Sequence, residues 1–268
     1  MSIQPANSLE PSVLDLKARI DDAVQSGKRL RIVGGNSKRF LYPTGPSTED
    51  TQAEDLSVTH SGIVSYQPSE LVLSVRGATR LSEVHAALSE QKQMLGFEPP
   101  AFGEAASIGG TVAAALSGPA RPYAGSIRDA VLGVKMLTGS GEVVRFGGEV
   151  MKNVAGYDVS RLVVGSMGSL GVILEVSLRV TPQFPACAYW KTGCNEHEAF
   201  EQMARFRKLS LPITGLAYDG QHLHLRLAGS EIAIEEASPL LEDFSPEDEN
   251  FWSELNEQKL AFFNGATN

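Results

Sequence analysis

The sequence predicts a chain of mixed helix and strand in two regions, divided near residue 183. Three observations carry that reading. Apolar residues at helical spacing near the start run into a short strand and then a glycine turn. A strand of strict alternation spans residues 172 to 180 and is stopped by Pro182. Beyond Pro185 the texture changes, because both cysteines, both tryptophans and a run of acidic residues all lie there.

Each element has its own signal. Val13, Leu16, Ile20 and Val24 predict a helix over 12–26 with its apolar face on those four residues and a glycine stop at Gly27. Leu30 to Val33 reads as a strand that enters Gly34-Gly35-Asn36-Ser37-Lys38. Ile63 to Tyr66 and Leu71 to Val75 read as strands around a turn at Pro68. Leu81, Val84 and Leu88 give one face of a helix from 80 to 92, with Thr79 as its N-cap. From Gly96 to Gly118 few side chains are bulky, which either lets the backbone approach something closely or packs a helix tightly on a sheet. Val131 to Thr138 and Glu142 to Phe146 form a hairpin, residues 158 to 164 a short helix, and Gly165, Gly168 and Gly171 follow three apart. In the last region Asn195 and Glu198 make a capping pair for a helix whose apolar face holds Phe200, Met203 and Phe206. Residues 222 to 228 alternate as a strand, and a helix from 231 is interrupted by Pro239. The region closes at residue 268 with no further element, so it reads as an incomplete domain.

Charge and composition narrow the function. The chain has 268 residues with 23 Lys and Arg against 32 Asp and Glu, a formal net charge of −9, which argues against a nucleic-acid backbone binder. Ten acidic residues and no basic ones lie between Glu231 and Glu257, a solvated face or a docking surface for a basic partner. Two cysteines, Cys187 and Cys194, are too few for a disulfide framework or a four-thiolate cluster. No secretory leader or membrane-spanning run is read, so the chain is expected to be soluble and cytoplasmic.

There is no Walker loop, no GxGxxG, no GxSxG and no HExxH. Three glycine-rich segments remain, at 34–38, 103–118 and 165–171, each beside a strand or a small-residue helix. Clusters of this kind let successive backbone N–H groups point at one anion, as a diphosphate requires. His222 and His224, at i and i+2 on one strand face, could begin a metal site; with no third ligand evident, no metal site is assigned.

The strings Leu30 to Lys38, Ser107-Ile108-Gly109-Gly110-Thr111-Val112-Ala113, Ser126 to Gly133, and Gly156-Tyr157-Asp158 with Gly165 to Ile173 resemble the FAD-binding domain of the vanillyl-alcohol oxidase and p-cresol methylhydroxylase (PCMH-type) superfamily. The match runs along most of residues 12 to 182. Met151 to Asp158, Gly118-Pro119-Ala120-Arg121-Pro122 and Glu98-Pro99-Pro100 are similar, more narrowly, to the FAD-binding subunits of bacterial glycolate oxidases. The resemblance implies an α+β protein: a two-lobed PCMH-type FAD-binding domain over 1–182, then a partial α+β cap over 183–268, truncated near its midpoint.

It also implies site residues. Gly34, Gly35, Asn36, Ser37 and Lys38 would cradle the diphosphate, with Lys38 either neutralising it or facing solvent. Ser107, Gly109, Gly110 and Thr111 match the second flavin segment, and Gly168, Gly171, Val172 and Ile173 a third near the adenine. Relatives that attach flavin covalently use a histidine in the first turn or a cysteine in the second. Asn36 stands in the first, and residues 96–118 hold neither type, so non-covalent FAD is expected. Arg121 and Arg128 are candidate anion contacts, Arg128 alternatively pairing with Asp129. No catalytic base is assigned. The implied activity is oxidation of a 2-hydroxy acid such as glycolate within a complex containing a related flavin subunit and an iron–sulfur subunit, at the inner membrane only through those partners. A self-sufficient flavin oxidoreductase for another substrate, and an assembly subunit with flavin but no active site of its own, are the alternatives.

Overall fold

A computed structural model describes residues 2–3, 9–42, 53–148 and 158–264. The string Met151 to Tyr157 lies outside them. The chain forms two compact units. The first takes in residues 1–95, 101–116 and 126–181, and the second takes in 96–100, 117–125 and 182–268.

In the first unit, β1 (Ser2–Ile3) precedes α1 (Pro11–Ser26), which ends at Gly27 in the left-handed region, with φ 68°. Val13, Leu16, Ile20 and Ala23 are the buried face of α1. Val24, expected on that face, is 66% exposed, because the fourth buried position of a 3.6-residue repeat falls one residue earlier. β2 (Leu30–Val33) pairs in parallel with β3 (Glu54–Ser57). β4 (Ile63–Gln67), β5 (Val72–Arg76), α2 (Leu81–Glu90) and β6 (Gln93–Met94) follow. Thr79 does not cap α2; Arg80 holds that position, and the Thr79 hydroxyl is buried, donating to the carbonyl of Arg76 at 2.7 Å.

After α3 (Ile108–Ala114) the chain passes through α4 (Arg121–Ala124), which belongs to the second unit, and returns at α5 (Ile127–Ala130); the hairpin β7 (Val131–Leu137) and β8 (Val143–Gly147) then forms where expected. Next come α6 (Val159–Val163) and β9 (Val172–Arg179). The main sheet is antiparallel throughout, in the order β1-β8-β7-β9-β5-β4. Leu16 and Ile20 of α1 pack on Leu137, Val172 and Leu174, each such aliphatic side chain contributing roughly 1.5–3 kcal/mol by leaving water. The polar face of β9 is also covered: buried Glu175 is held by Lys135 at 2.9 Å and Arg145 at 2.8 Å, and Ser177 bonds Ser74 at 2.8 Å. Charges removed from water must be paired in this way.

The chain leaves the first unit within β10 (Thr181–Pro182), and the second unit then holds β11 (Ala186–Gly193), α7 (Glu196–Phe206), β12 (Ile213–Tyr218), β13 (His222–Gly229), α8 (Glu231–Ala237), β14 (Ser245–Glu247), α9 (Asn250–Asn256) and α10 (Ala261–Asn264). The sheet order is β12-β13-β11-β14. Asn195 and Glu198 close a reciprocal capping box on α7, at 3.0 and 2.9 Å. Phe200 is 62% exposed, so the buried face of α7 is Ala199 and Phe206, with Met203 partly covered. Leu223, Leu225 and Leu227 of β13 form the core with Phe206, Ala237 and Leu241.

Candidate functional site

Three backbone segments of the first unit meet at one point, and glycine permits the meeting. Gly35 lies so close to Ala105 that a Cβ there would fall on the Ala105 carbonyl. The N–H of Gly109 donates to the carbonyl of Gly77 at 2.8 Å, and a Cβ on Gly109 would sit 2.7 Å from that oxygen. Gly77 in turn rests on the carbonyl of Ile173. The small residues of the second glycine segment therefore serve backbone packing at Gly109. At Gly110 a Cβ would meet only Ser107 Oγ, at 3.2 Å, and that position faces open space.

The space is an open, solvent-connected cleft walled largely by glycine and small-residue backbone. Of the residues singled out from sequence, Gly34, Gly35, Asn36, Ser37, Lys38, Ser107, Gly109, Gly110, Gly168, Gly171 and Ile173 line it. Thr111 and Val172 do not. The Thr111 hydroxyl is buried and donates to the Ser107 carbonyl at 2.9 Å, and Val172 packs in the core beneath α1. Residues that sequence reasoning did not single out also line the wall, among them Tyr42, Gly77 and Met167, with Tyr42 donating to the Met167 carbonyl at 3.3 Å.

Chemically, the cleft is a donor surface. Asn36 has φ 56°, which curls the turn after β2. Among the described residues, the N–H groups of Gly34, Gly35, Asn36 and Ser37 have no hydrogen-bond partner within the chain. Such a nest concentrates partial positive charge. Lys38 is 8% exposed, which removes the solvent-facing alternative; its Nζ donates to the Ala101 carbonyl at 3.3 Å and lies 5.6 Å from the Phe102 ring centre. Ser107 caps α3 through its Oγ, which accepts from the Gly110 N–H at 3.3 Å. Among the described lining residues there is no carboxylate and no imidazole.

Neither candidate arginine lines the cleft. Arg128 donates to the Val164 carbonyl at 3.4 Å, while Asp129 binds Ser126 and caps α5. Those bonds to Ser126 hold the Asp129 carboxyl below its ordinary range. Arg121 opens α4 in the second unit.

This nest-and-glycine cleft is of the flavin-dinucleotide-binding class, and the comparisons agree. The chain belongs to the FAD binding domain family, whose model matches residues 11–147. It is an FAD-dependent oxidoreductase chain of PCMH type. It is 44% identical to the glycolate oxidase subunit GlcE of Escherichia coli K12, over 92% of this chain and 69% of that protein. It is 36% identical to the glycolate oxidase subunit GlcD of Bacillus subtilis, over 31% of this chain and 18% of that one. An alkyldihydroxyacetonephosphate synthase shares the fold at a TM-score of 0.70 and 15% identity, covering 92% of this chain and about half (53%) of the synthase. The residues present suit FAD: the unpartnered N–H groups and Lys38 offer the positive charge a diphosphate would need, and at Gly110 a side chain is absent where the cleft is open. No helix among the described residues is long and apolar enough to cross a membrane.

Proposed function

We propose that this chain is the FAD-binding subunit of a glycolate oxidase assembly, taking electrons from a 2-hydroxy acid such as glycolate and passing them through a related flavin subunit and an iron–sulfur subunit to an acceptor. The observation that carries the reading is the 44% identity to a glycolate oxidase subunit along 92% of the chain. Bound FAD would supply the hydride-accepting group. The turn 34–38 would bind the diphosphate through its N–H groups and Lys38, Ser107, Gly109 and Gly110 would hold the ribityl and ring portion, and Gly168, Gly171 and Ile173 would lie near the adenine. With two cysteines in the sequence, this chain cannot ligate a four-thiolate cluster, so the iron–sulfur relay belongs to a partner. The assembly would be cytoplasmic, held at the inner membrane by its partners.

A second reading, a flavin-containing assembly subunit without an active site of its own, is favoured by the cleft wall, where the described lining residues offer neither a carboxylate nor an imidazole as general base. The experiment combines this chain with the two partner subunits and measures glycolate-dependent dye reduction. Turnover that requires all three chains, and that is lost when the cleft of this one is blocked by Gly110→Trp, supports the first reading. Turnover that survives the block supports the second, and turnover by the isolated chain overturns both.

A further inference from the structure

The strand pair β12–β13 places a third donor, a carboxylate oxygen, beside the two histidines noted in the sequence. We infer that Asp219, His222 and His224 form a binding site for a divalent transition metal of the zinc class, with Glu247 as the positioning group behind His224. Asp219 follows β12, and its Oδ1 accepts from the N–H groups of Gln221 at 2.8 Å and His222 at 2.7 Å. Those bonds fix the carboxylate and leave Oδ2 to face the β13 surface. His222 and His224, two residues apart on β13, present their rings on the same side.

Oδ2 of Asp219 lies 3.2 Å from Nε2 of His224 and 3.8 Å from Nδ1 of His222, and the three donor atoms all lie within 4.8 Å of one another. Zinc–nitrogen and zinc–oxygen bonds of about 2.0–2.2 Å at tetrahedral angles set donor atoms about 3.3 Å apart, so little movement closes the site. Two imidazoles and a carboxylate are a donor set that suits zinc. Asp219 and His222 are solvent-accessible while His224 is buried, so the fourth position opens to water.

The surroundings of His224 are built for a ligand. Its Nδ1 lies 2.9 Å from Oε2 of Glu247, whose other oxygen is 3.5 Å from Lys191 Nζ, and its ring stacks on Phe251 at 3.4 Å and 4°. A neutral imidazole carries one N–H. Given to Glu247, that proton leaves Nε2 as a lone pair aimed at the space shared with Asp219 and His222, the carboxylate–histidine–metal arrangement that orients metal ligands. The rival arrangement is a doubly protonated ring clamped between two carboxylates, which has no lone pair to give.

The test uses the full chain, stripped with a chelator and titrated calorimetrically with Zn²⁺, with Co²⁺ absorption as a second readout of tetrahedral coordination. One ion per chain is expected. His222→Ala, at a half-exposed position, and Asp219→Asn should each weaken binding about 100-fold or more, and Glu247→Gln about 10–100-fold. His197→Ala, which removes an exposed histidine that pairs with Glu201 on α7, should leave binding unchanged. Absence of stoichiometric binding to the folded wild type, or equal affinity in His222→Ala, overturns the inference and leaves the clamped ring.

Discussion

Gly109 rests on Gly77 backbone to backbone, with an N–H···O bond of 2.8 Å and no room for a side chain between them. Gly109→Ala should therefore lower stability by about 1–3 kcal/mol, as overpacking against a main chain does, and should reduce bound flavin with it. Gly110→Ala, one residue on, should leave the melting temperature nearly unchanged, and Gly110→Trp should abolish flavin binding while the chain stays folded. Thermal melts and flavin content of the three variants check this. Equal behaviour at 109 and 110 would mean that the cleft wall is drawn on the wrong side of α3.

Lys38 brings a buried positive charge to the turn after β2. Hydrogen bonds to charged groups contribute about 1.5–3 kcal/mol, so Lys38→Met should weaken FAD binding roughly 10–100-fold with little effect on adenosine alone. Fluorescence titration with both ligands measures the difference, and equal losses would separate Lys38 from the diphosphate.

Arg226 grips Glu98 with its two terminal guanidinium nitrogens, at 2.5 and 2.9 Å, and lies 4.9 Å from the Trp252 ring centre. Glu98 Oε2 also accepts from the N–H of Ala120, so one carboxylate ties segments 96–100 and 117–125 to β13. Removing the half-buried Glu98 carboxylate strands the buried Arg226 guanidinium. Glu98→Gln should cost about 2–4 kcal/mol, read by denaturant unfolding of the chain, and a change below ~0.5 kcal/mol would show the pair to be incidental.

His60 is 2% exposed, with Nδ1 at 2.9 Å from Ser12 Oγ. Burial pushes its ionisation below the usual 6.5; Glu10 opposes that shift and Arg76 adds to it. The unfolded chain then binds more protons than the folded one just below pH 6.5, so His60 favours the fold above that value and its contribution is lost as the pH falls. The slope of stability against pH below 6.5 should flatten in His60→Gln. An unchanged slope would assign it to other groups.

The cleft was legible because three glycine-rich strings in one order resemble a flavin-binding family, where a single such string would read as a plain turn; β9 and the hairpin β7–β8 were legible because alternation is a strong signal. What the sequence hid were polar residues with distant partners. Glu175 on β9 and His224 and Arg226 on β13 occupy the polar side of an alternating pattern, which reads as a solvent face, yet all three are buried. Their partners lie far along the chain: Arg145 for Glu175, Glu98 for Arg226, Glu247 for His224. Spacing carries no sign of such pairs. Asp219 escaped notice for a nearer reason, since only the turn at Gly220, with φ 101°, folds it back beside the histidines. Thr111 and Val172 show the converse: they sit within the matched strings but turn inward, because adjacent residues of a helix or strand face different ways.

The most direct measurement is the absorption spectrum of the chain after incubation with FAD and gel filtration, read again after acid precipitation. The account predicts a flavin band near ~450 nm that travels with the folded protein and passes entirely into the supernatant on precipitation. A folded but colourless chain, or colour that stays with the precipitate, would contradict a cleft that holds FAD without a covalent bond.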